Sequence, residues 1–207
     1  MNQKHSLKSP SHCCRIAITG GPGGGKTTAI DLYRREIGPE VVVVPEAATI
    51  LYTGGFPRAG EKNVRLSTQR AIYHVQKNLE DSYAAFFSSR ILLCDRGTLD
   101  GGAYWPGSLK SFLSDMNTTM DTEISRYDAV LFFETAAVGG MSIEGGNPAR
   151  IESLTEAISL DKKLHTIWSQ HPHFIFVPHQ KSFIKKIQFA MKELTKIVKK
   201  RSAYSKA

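Results

Sequence analysis

The chain has 207 residues, of which 41% are hydrophobic and 22% charged, and these values exclude a wholly disordered protein. Lys and Arg outnumber Asp and Glu by 27 to 19, for a formal net charge of +8. No apolar run reaches the roughly 18 residues that cross a bilayer, and the N-terminus lacks the hydrophobic segment of a secretory signal, so we expect a cytoplasmic protein. We also expect a disordered tail over residues 1–13, one domain over 14–201 and a short tail over 202–207.

Short runs rich in β-branched residues alternate with longer helical patterns, which predicts a parallel sheet flanked by helices. The predicted strands are 15–19, 41–44, 91–94, 129–133 and 174–177. The predicted helices are 26–37, 64–89, 109–126, 153–169 and 182–201. Ser153 with Glu156 three residues later forms a capping box at the start of the fourth helix. Before it, the glycine-rich segment at about 136–150 is predicted to be a mobile loop that closes as a lid.

The helix predicted at 64–89 has an apolar stripe and a polar side. The stripe is expected to be buried, and the polar residues then face a cleft or the solvent. Gln69 and Arg70 on the polar side are candidates for binding a substrate, although a solvated helix face explains them equally well. The apolar stripe consists of Ile72, Val75, Leu79, Tyr83 and Phe86.

A phosphate-binding motif follows the first predicted strand directly. Residues 20–28 read Gly-Gly-Pro-Gly-Gly-Gly-Lys-Thr-Thr and fit the P-loop pattern G-x-x-x-x-G-K-[ST]. The glycines let the backbone N–H groups point at a phosphate, and the next helix presents its positive end. Lys26 is expected to reach the β- and γ-phosphates, and Thr27 to ligate Mg²⁺. The predicted nucleotide-binding residues are Gly20, Gly21, Pro22, Gly23, Gly24, Gly25, Lys26, Thr27 and Thr28.

A P-loop needs a second metal ligand, which is usually an acidic residue at the end of a neighbouring buried strand. Asp95 and Glu134 each follow an apolar run of this kind. We favour Asp95, because Arg96 follows it and adds a cation where phosphate charge develops. Glu134 is then interpreted as a structural or loop-anchoring group.

Two further charged residues are candidates for catalysis. Glu46 follows the second predicted strand, and carboxyl ends of strands face the ligand crevice of an open α/β sheet. It is a candidate general base for an acceptor hydroxyl, or a group that positions water or metal; a helix N-cap or a surface carboxylate is the competing interpretation. Arg150 ends the glycine-rich loop, where closure would bring it onto the transferred phosphoryl group, unless it is a plain surface arginine.

The C-terminal segment holds all of the net charge. From residue 181 onwards nine Lys and Arg stand against one Glu, and apolar residues recur at helical spacing. This pattern predicts an amphipathic helix over about 182–201 with a basic outer face. The helix either closes the domain with solvated lysines or binds an anionic membrane surface. Nucleic acid is the weaker partner, because aromatic residues are not interleaved with the cations.

The ordered set of motifs resembles the AAA-type P-loop family of putative ATPases. That family is similar to the kinase domain of the nicotinamide riboside kinase regulator, and it includes a photoreceptor translocation-defect GTPase that binds phosphoinositide. The resemblance spans roughly residues 14–190. It rests on Ile18 to Thr28, Pro45-Glu46-Ala47-Ala48, Thr68-Gln69-Arg70, Cys94-Asp95-Arg96-Gly97 and Asn147-Pro148-Ala149-Arg150-Ile151-Glu152.

The resemblance implies an α/β fold, a three-layer P-loop NTPase whose five-stranded parallel sheet has the order 2-3-1-4-5 with helices on both faces. It also implies roles for single residues. Asp95 and Arg96 match the Asp-Arg motif of thymidylate-kinase-like enzymes. Glu46 falls where deoxynucleoside kinases keep the carboxylate that activates the acceptor hydroxyl, and Gln69 falls near their base-reading glutamine.

These observations favour a Mg²⁺-dependent kinase that transfers the γ-phosphate of ATP to a hydroxyl of a small, nucleoside-like acceptor. The alternative is a regulatory ATPase or GTPase that hydrolyses slowly and binds a membrane or protein partner through its basic helix. The sequence has no Asn-Lys-x-Asp element to read guanine. ATP is therefore the expected nucleotide, and GTP is left open.

Overall fold

The structure is a computed structural model that describes residues 13–140 and 153–204, without the side chains of residues 201–204. Residues 1–12 of the predicted N-terminal tail, 141–150 of the predicted lid and 205–207 lie outside the described part of the chain.

Five parallel strands form the central sheet, in the order β2-β3-β1-β4-β5. The predicted order and all five predicted strands are confirmed. The inner strands are almost completely buried, as expected for a parallel sheet covered on both faces. The strands are β1 (Cys14–Thr19), β2 (Val41–Val44), β3 (Ile91–Asp95), β4 (Ala129–Phe133) and β5 (Phe174–Val177).

Eight α-helices are present in the described part of the chain. Short 3₁₀ turns at Gly38–Glu40, Thr98–Asp100 and Ala136–Gly139 connect several elements. Within residues 13–140 and 153–204, no helix has both the length and the apolar character needed to span a membrane. The helices are α1 (Lys26–Ile37), α2 (Ala47–Thr53), α3 (Lys62–Phe86), α4 (Gly101–Tyr104), α5 (Leu109–Asp115), α6 (Met120–Ile124), α7 (Leu154–Trp168) and α8 (Phe183–Tyr204).

Two hydrophobic layers enclose the sheet. Because side chains alternate along a strand, Ile16 and Ile18 of β1 face one layer and Ala17 faces the other. Helices α1 and α8 cover the first layer, with Tyr33 and Leu194 in its centre. Helices α3, α4 and α7 cover the second layer. The predicted arrangement of helices on both faces of the sheet is thus confirmed.

Several helices differ from the prediction, and α4 was not predicted at all. The helix predicted over 109–126 is split into α5 and α6, because Asn117 between them adopts a left-handed conformation with φ of 50°. Helix α2 was not predicted, since its seven residues are too short to give a clear period. Helix α8 continues three residues past its predicted end, while the capping box of Ser153 and Glu156 starts α7 as predicted.

The buried face of α3 is polar, which corrects the predicted apolar stripe. Leu79 and Tyr83 of that stripe are only partly buried, and Phe86 is 81% exposed. The helix lies over the polar ends of β2 and β3 rather than over a purely apolar surface, so the sequence period misplaced its inner face. The buried residues of α3 are Thr68, Gln69, Tyr73, Gln76 and Glu80.

Candidate functional site

The P-loop connects β1 to α1 and can be built only with glycine at its closest contacts. Gly20 has φ of 127°, and a Cβ there would collide with the carbonyl oxygen of Phe133. Gly25 has φ of 87°, and a Cβ there would lie 2.5 Å from the Phe183 ring. The loop is therefore held between the end of β4 and the start of α8, with the N-terminus of α1 behind it.

Lys26 is buried beneath the loop that it serves. Its Nζ donates hydrogen bonds to the carbonyl oxygens of Gly20 (2.8 Å) and Gly21 (2.7 Å). Burial, together with the nearby Arg96 guanidinium, lowers the pKa of Lys26 to about 7. A phosphate at this position would add negative charge beside Lys26 and so favour its charged ammonium form.

Asp95 and Thr27 lie at the same cavity as Lys26, which suits a magnesium ion. Burial and the neighbouring Glu46 carboxylate raise the pKa of Asp95 to about 6, although Arg96 and Lys26 oppose this. A divalent cation would relieve the repulsion between these two acids. Carboxylate and hydroxyl oxygens are ligands that Mg²⁺ accepts, so the donor set fits the ion.

Arg96 is the centre of the charged network. Its Nε donates to Oε1 of Glu46 (3.1 Å), and its Nη1 donates to the carbonyl oxygen of Gly20 (2.9 Å) and to Oδ2 of Asp100 (3.2 Å). Its backbone has φ of 73°, an unusual value for a residue with a side chain. One guanidinium thus joins the ends of β1, β2 and β3.

Glu46 follows β2 and caps α2 by position only, since its side chain makes no capping hydrogen bond to the helix. Thr49 donates a hydrogen bond to its Oε2 (2.6 Å), and Arg96 binds Oε1. Burial raises the pKa of Glu46, but Arg96, Thr49 and Lys26 outweigh this and leave it below its ordinary value. Glu46 is therefore ionised at neutral pH and can accept a proton.

A cavity of about 600 Å³ extends from the P-loop across Glu46 to helices α2 and α3. Gln69 lines it and is 7% exposed, and no described residue gives its side-chain amide a hydrogen-bond partner. Tyr52, Arg65 and Tyr104 line the outer part. The cavity thus brings together residues from every predicted part of the site except the lid: Pro22, Lys26, Thr27, Glu46, Gln69, Asp95 and Arg96.

Arg70 is not among the residues that line this cavity, which favours the alternative interpretation of a solvent-facing helix residue. Its Nε and Nη2 bind the carboxylate of Asp115 at 2.6 and 2.7 Å on the outside of the molecule. Adjacent residues on a helix point about 100° apart, so Gln69 and Arg70 cannot both face inward.

Arg150 lies outside the described residues. Glu134 accepts a hydrogen bond from His179 N–H (2.6 Å) and anchors the segment after β5.

Three buried residues that support the P-loop were missed in the sequence. Asp100 accepts hydrogen bonds from Thr19 Oγ1 and from the indole of Trp168, each at 2.8 Å. Asp161 on α7 accepts one from Gly21 N–H (2.8 Å). Lys186 on α8 donates to the carbonyl oxygens of Gly24 (2.8 Å) and Glu134 (2.6 Å). Only Asp100 is close in sequence to a recognised motif, four residues after Arg96.

Comparisons with known proteins identify a similar fold and the family of the chain. No curated protein matches the chain significantly. Among solved structures, the deoxyadenosine kinase of M. mycoides with bound dATP is similar, with a TM-score of 0.58 over 88% of this chain and 99% of that one. The two sequences are 16% identical, so the likeness is one of fold. A family model described as an AAA domain matches residues 15–183, and the chain therefore belongs to this family of P-loop nucleotide-binding proteins.

Proposed function

We propose that the chain is a Mg²⁺-dependent kinase that transfers the γ-phosphate of ATP to a hydroxyl of a nucleoside-like acceptor. The observation that carries the proposal is the position of Glu46. Its ionised carboxylate, held by Arg96 and Thr49, lines the same cavity as the P-loop lysine. A cavity of about 600 Å³ has room for a small acceptor beside the phosphates.

The residues of the site have separate roles in phosphoryl transfer. The P-loop amides and Lys26 hold the β- and γ-phosphates, and Arg96 adds positive charge where the transferred group develops negative charge. Thr27 and Asp95 would hold Mg²⁺, which neutralises phosphate charge when bound. Glu46 takes the proton of the acceptor hydroxyl while the oxygen of that hydroxyl bonds to the γ-phosphorus. The bond from that phosphorus to the bridging oxygen breaks, and ADP leaves.

The outer cavity supports a nucleoside-like acceptor. The side-chain amide of Gln69 has a donor and an acceptor free among the described residues, as recognition of a base edge requires. Tyr52 and Tyr104 supply aromatic surface in the same wall. The similar solved structure is named a deoxyadenosine kinase, which agrees with an acceptor of this class. Arg150 stays a predicted arginine of the lid.

The test incubates the chain with Mg²⁺-ATP and a panel of ribonucleosides and deoxyribonucleosides and identifies the products by mass spectrometry. We expect a nucleoside monophosphate from at least one acceptor. Glu46→Gln should reduce this turnover about 100-fold or more while the Kd for ATP changes less than about threefold. Glu40→Gln, the same substitution at the exposed opposite end of β2, is the matched control. Free phosphate alone, at a rate that no nucleoside changes, would contradict the proposal.

One observation favours a second candidate, a slowly hydrolysing ATPase or GTPase that signals through α8. The helix touches the P-loop directly, because Lys186 binds the Gly24 carbonyl and the Phe183 ring abuts Gly25. The same helix exposes lysines toward solvent, as an anionic membrane or a protein partner would require.

Deleting α8 cannot test the second candidate, because Ile187, Leu194 and Val198 belong to the core. Charge reversal of the exposed Lys185, Lys192 and Lys199 to Glu leaves that core intact. Salt-sensitive binding to vesicles that contain anionic lipid, lost in the reversed variant, would support this candidate. Equal binding of both proteins would leave α8 as a packing element.

A further inference from the structure

Gln76 lies on the buried face of α3, between the loops that follow β2 and β3, and only 2% of it is exposed. Its Oε1 accepts a hydrogen bond from Ala47 N–H (3.1 Å). Its Nε2 donates to the carbonyl oxygen of Arg96 (3.3 Å) and to Oε1 of Glu80 (3.2 Å). One side-chain amide therefore bridges the two loops that carry Glu46 and Arg96.

The bond to Ala47 fixes the start of α2. Ala47 is the first residue of that helix, so its N–H has no acceptor within the helix. Gln76 supplies that acceptor from a neighbouring element. Because Glu46 directly precedes Ala47 and has an extended backbone, the bond sets where the Glu46 side chain leaves the main chain.

The bond to Arg96 holds an unfavourable backbone conformation. The left-handed region is unfavourable for a residue with a side chain, so φ of 73° at Arg96 needs support from its surroundings. Its N–H donates to the Ile18 carbonyl oxygen (3.1 Å), and its own carbonyl accepts from Gln76. The two bonds clamp Arg96 on both sides and direct its guanidinium to Glu46.

A purely structural role for Gln76 would be to satisfy the buried carboxylate of Glu80. Glu80 has other donors, since Tyr127 binds its Oε1 at 2.8 Å and Arg126 binds its Oε2 at 3.0 Å. The Ala47 N–H and the Arg96 carbonyl have no second hydrogen-bond partner in the described part of the chain. The bonds to the two loops are therefore the ones that only Gln76 provides.

We propose that Gln76 is a positioning residue for phosphoryl transfer: it holds the Glu46 carboxylate against the Arg96 guanidinium. The amide has an acceptor on one side and donors on the other, as this bridge requires. The kinetic part of the inference rests on the proposed kinase function. The geometric part does not, because the contact of Arg96 with Glu46 can be observed without turnover.

Two variants separate the bridge from simple packing. Gln76→Met keeps approximately the size of the side chain without its hydrogen bonds, and Gln76→Glu keeps the shape but replaces the donor that faces Arg96. The Arg96 Nε–H resonance, identified by its loss in Arg96→Lys, reports the contact with Glu46 by NMR. We expect this resonance to shift or broaden in both variants. Turnover of the nucleoside panel should fall about 10- to 100-fold, with the Kd for ATP changed less than about threefold.

Tyr73→Phe is the matched control. It removes a buried hydrogen bond of the same helix, from Tyr73 to Glu123 (2.6 Å), without touching either loop. We expect it to lower the Tm and to leave the Arg96 resonance and turnover unchanged. In the double variant of Gln76→Met with Glu46→Gln, turnover should equal that of Glu46→Gln alone, because Gln76 acts through Glu46.

An unchanged Arg96 resonance in both variants would overturn the proposal. So would a loss of turnover that adds in full to that of Glu46→Gln, or a rise in the Kd for ATP that matches the loss of turnover. If the wild-type chain phosphorylates no nucleoside, the kinase function fails, and the resonance alone decides the role of Gln76. If Gln76→Met does not fold, Gln76→Glu gives the answer.

Discussion

Single residues at the P-loop have unusual proton affinities because they have lost contact with water. Burial lowers the pKa of Lys26 to about 7 and raises that of Asp95 to about 6, with Arg96 and Glu46 adding to these respective shifts. Near neutral pH both groups are thus close to losing the charge that their functions need. The triphosphate favours the charged form of Lys26, and Mg²⁺ favours the charged form of Asp95.

Binding of Mg²⁺-ATP is therefore expected to take up a proton at alkaline pH. The phosphates restore the pKa of Lys26 toward its ordinary value, so the free protein must gain a proton when it binds above about pH 7. The Kd should rise with pH, approaching about tenfold per unit between about pH 8 and 9. Calorimetry at about pH 8.5 in buffers of different ionisation enthalpy measures the uptake, which Lys26→Arg should abolish. A Kd that is flat between about pH 7 and 9 would contradict this prediction.

Tyr33 offers a test of stability away from the site. Its hydroxyl is buried in the apolar layer beneath α1, and no described residue gives it a hydrogen bond. Tyr33→Phe removes the unsatisfied hydroxyl, so we expect the free energy of unfolding to rise by about 1 kcal/mol, as measured by denaturant titration. Tyr73→Phe, which deletes a satisfied buried hydroxyl, should lower it. A loss of stability in Tyr33→Phe would show that the hydroxyl has a partner in solution.

At the scale of the elements, α3 shows how packing overrides a sequence pattern. Its apolar residues suggested the inner face, but the helix turns Gln69, Gln76 and Glu80 inward instead. Gln76 and Glu80 are paired with residues from other elements, such as Glu80 with Arg126 and Tyr127. Because these partners are distant in sequence, no local period could reveal them.

The break between α5 and α6 gives a prediction for an element boundary. Asn117 has φ of 50° there, a conformation that Asn tolerates and that most residues disfavour. Asn117→Ala should lower the free energy of unfolding by about 1 kcal/mol, whereas Asn117→Gly should leave it nearly unchanged. Denaturant titration of both variants measures the difference. Equal destabilisation by both would mean that the Asn side chain, and not the backbone conformation, matters.

For the molecule as a whole, binding of a ligand at the nucleotide site is also expected to stabilise the fold. Elements distant from one another in sequence contact the P-loop: Arg96 after β3, Asp161 on α7 and Lys186 on α8 bind its backbone. A ligand on the loop therefore stabilises contacts between both layers of helices and the sheet.

Mg²⁺-ATP should consequently raise the Tm of the whole chain. At about 100 times the Kd the expected stabilisation is about 2.7 kcal/mol, or roughly 5–10 °C for a chain of this size. Thermal unfolding followed by circular dichroism measures the shift. AMP, which lacks the β- and γ-phosphates, should give a much smaller one, and Lys26→Ala should lose most of it. The same shift from AMP as from ATP would place the binding energy outside the P-loop.

The amino-acid sequence by itself determined the strands, the P-loop and the acidic residues at the ends of β2 and β3. These depend on short-range rules, namely alternation along a strand and the fixed spacing of a phosphate-binding turn. Only the tertiary structure decided that Gln69 faces the cavity while Arg70 binds Asp115 outside, and that Gln76 joins two loops. It also brought Asp161 to Gly21, 140 residues away in the chain. Such contacts depend on how elements distant in sequence pack together, and a local sequence pattern does not indicate that packing.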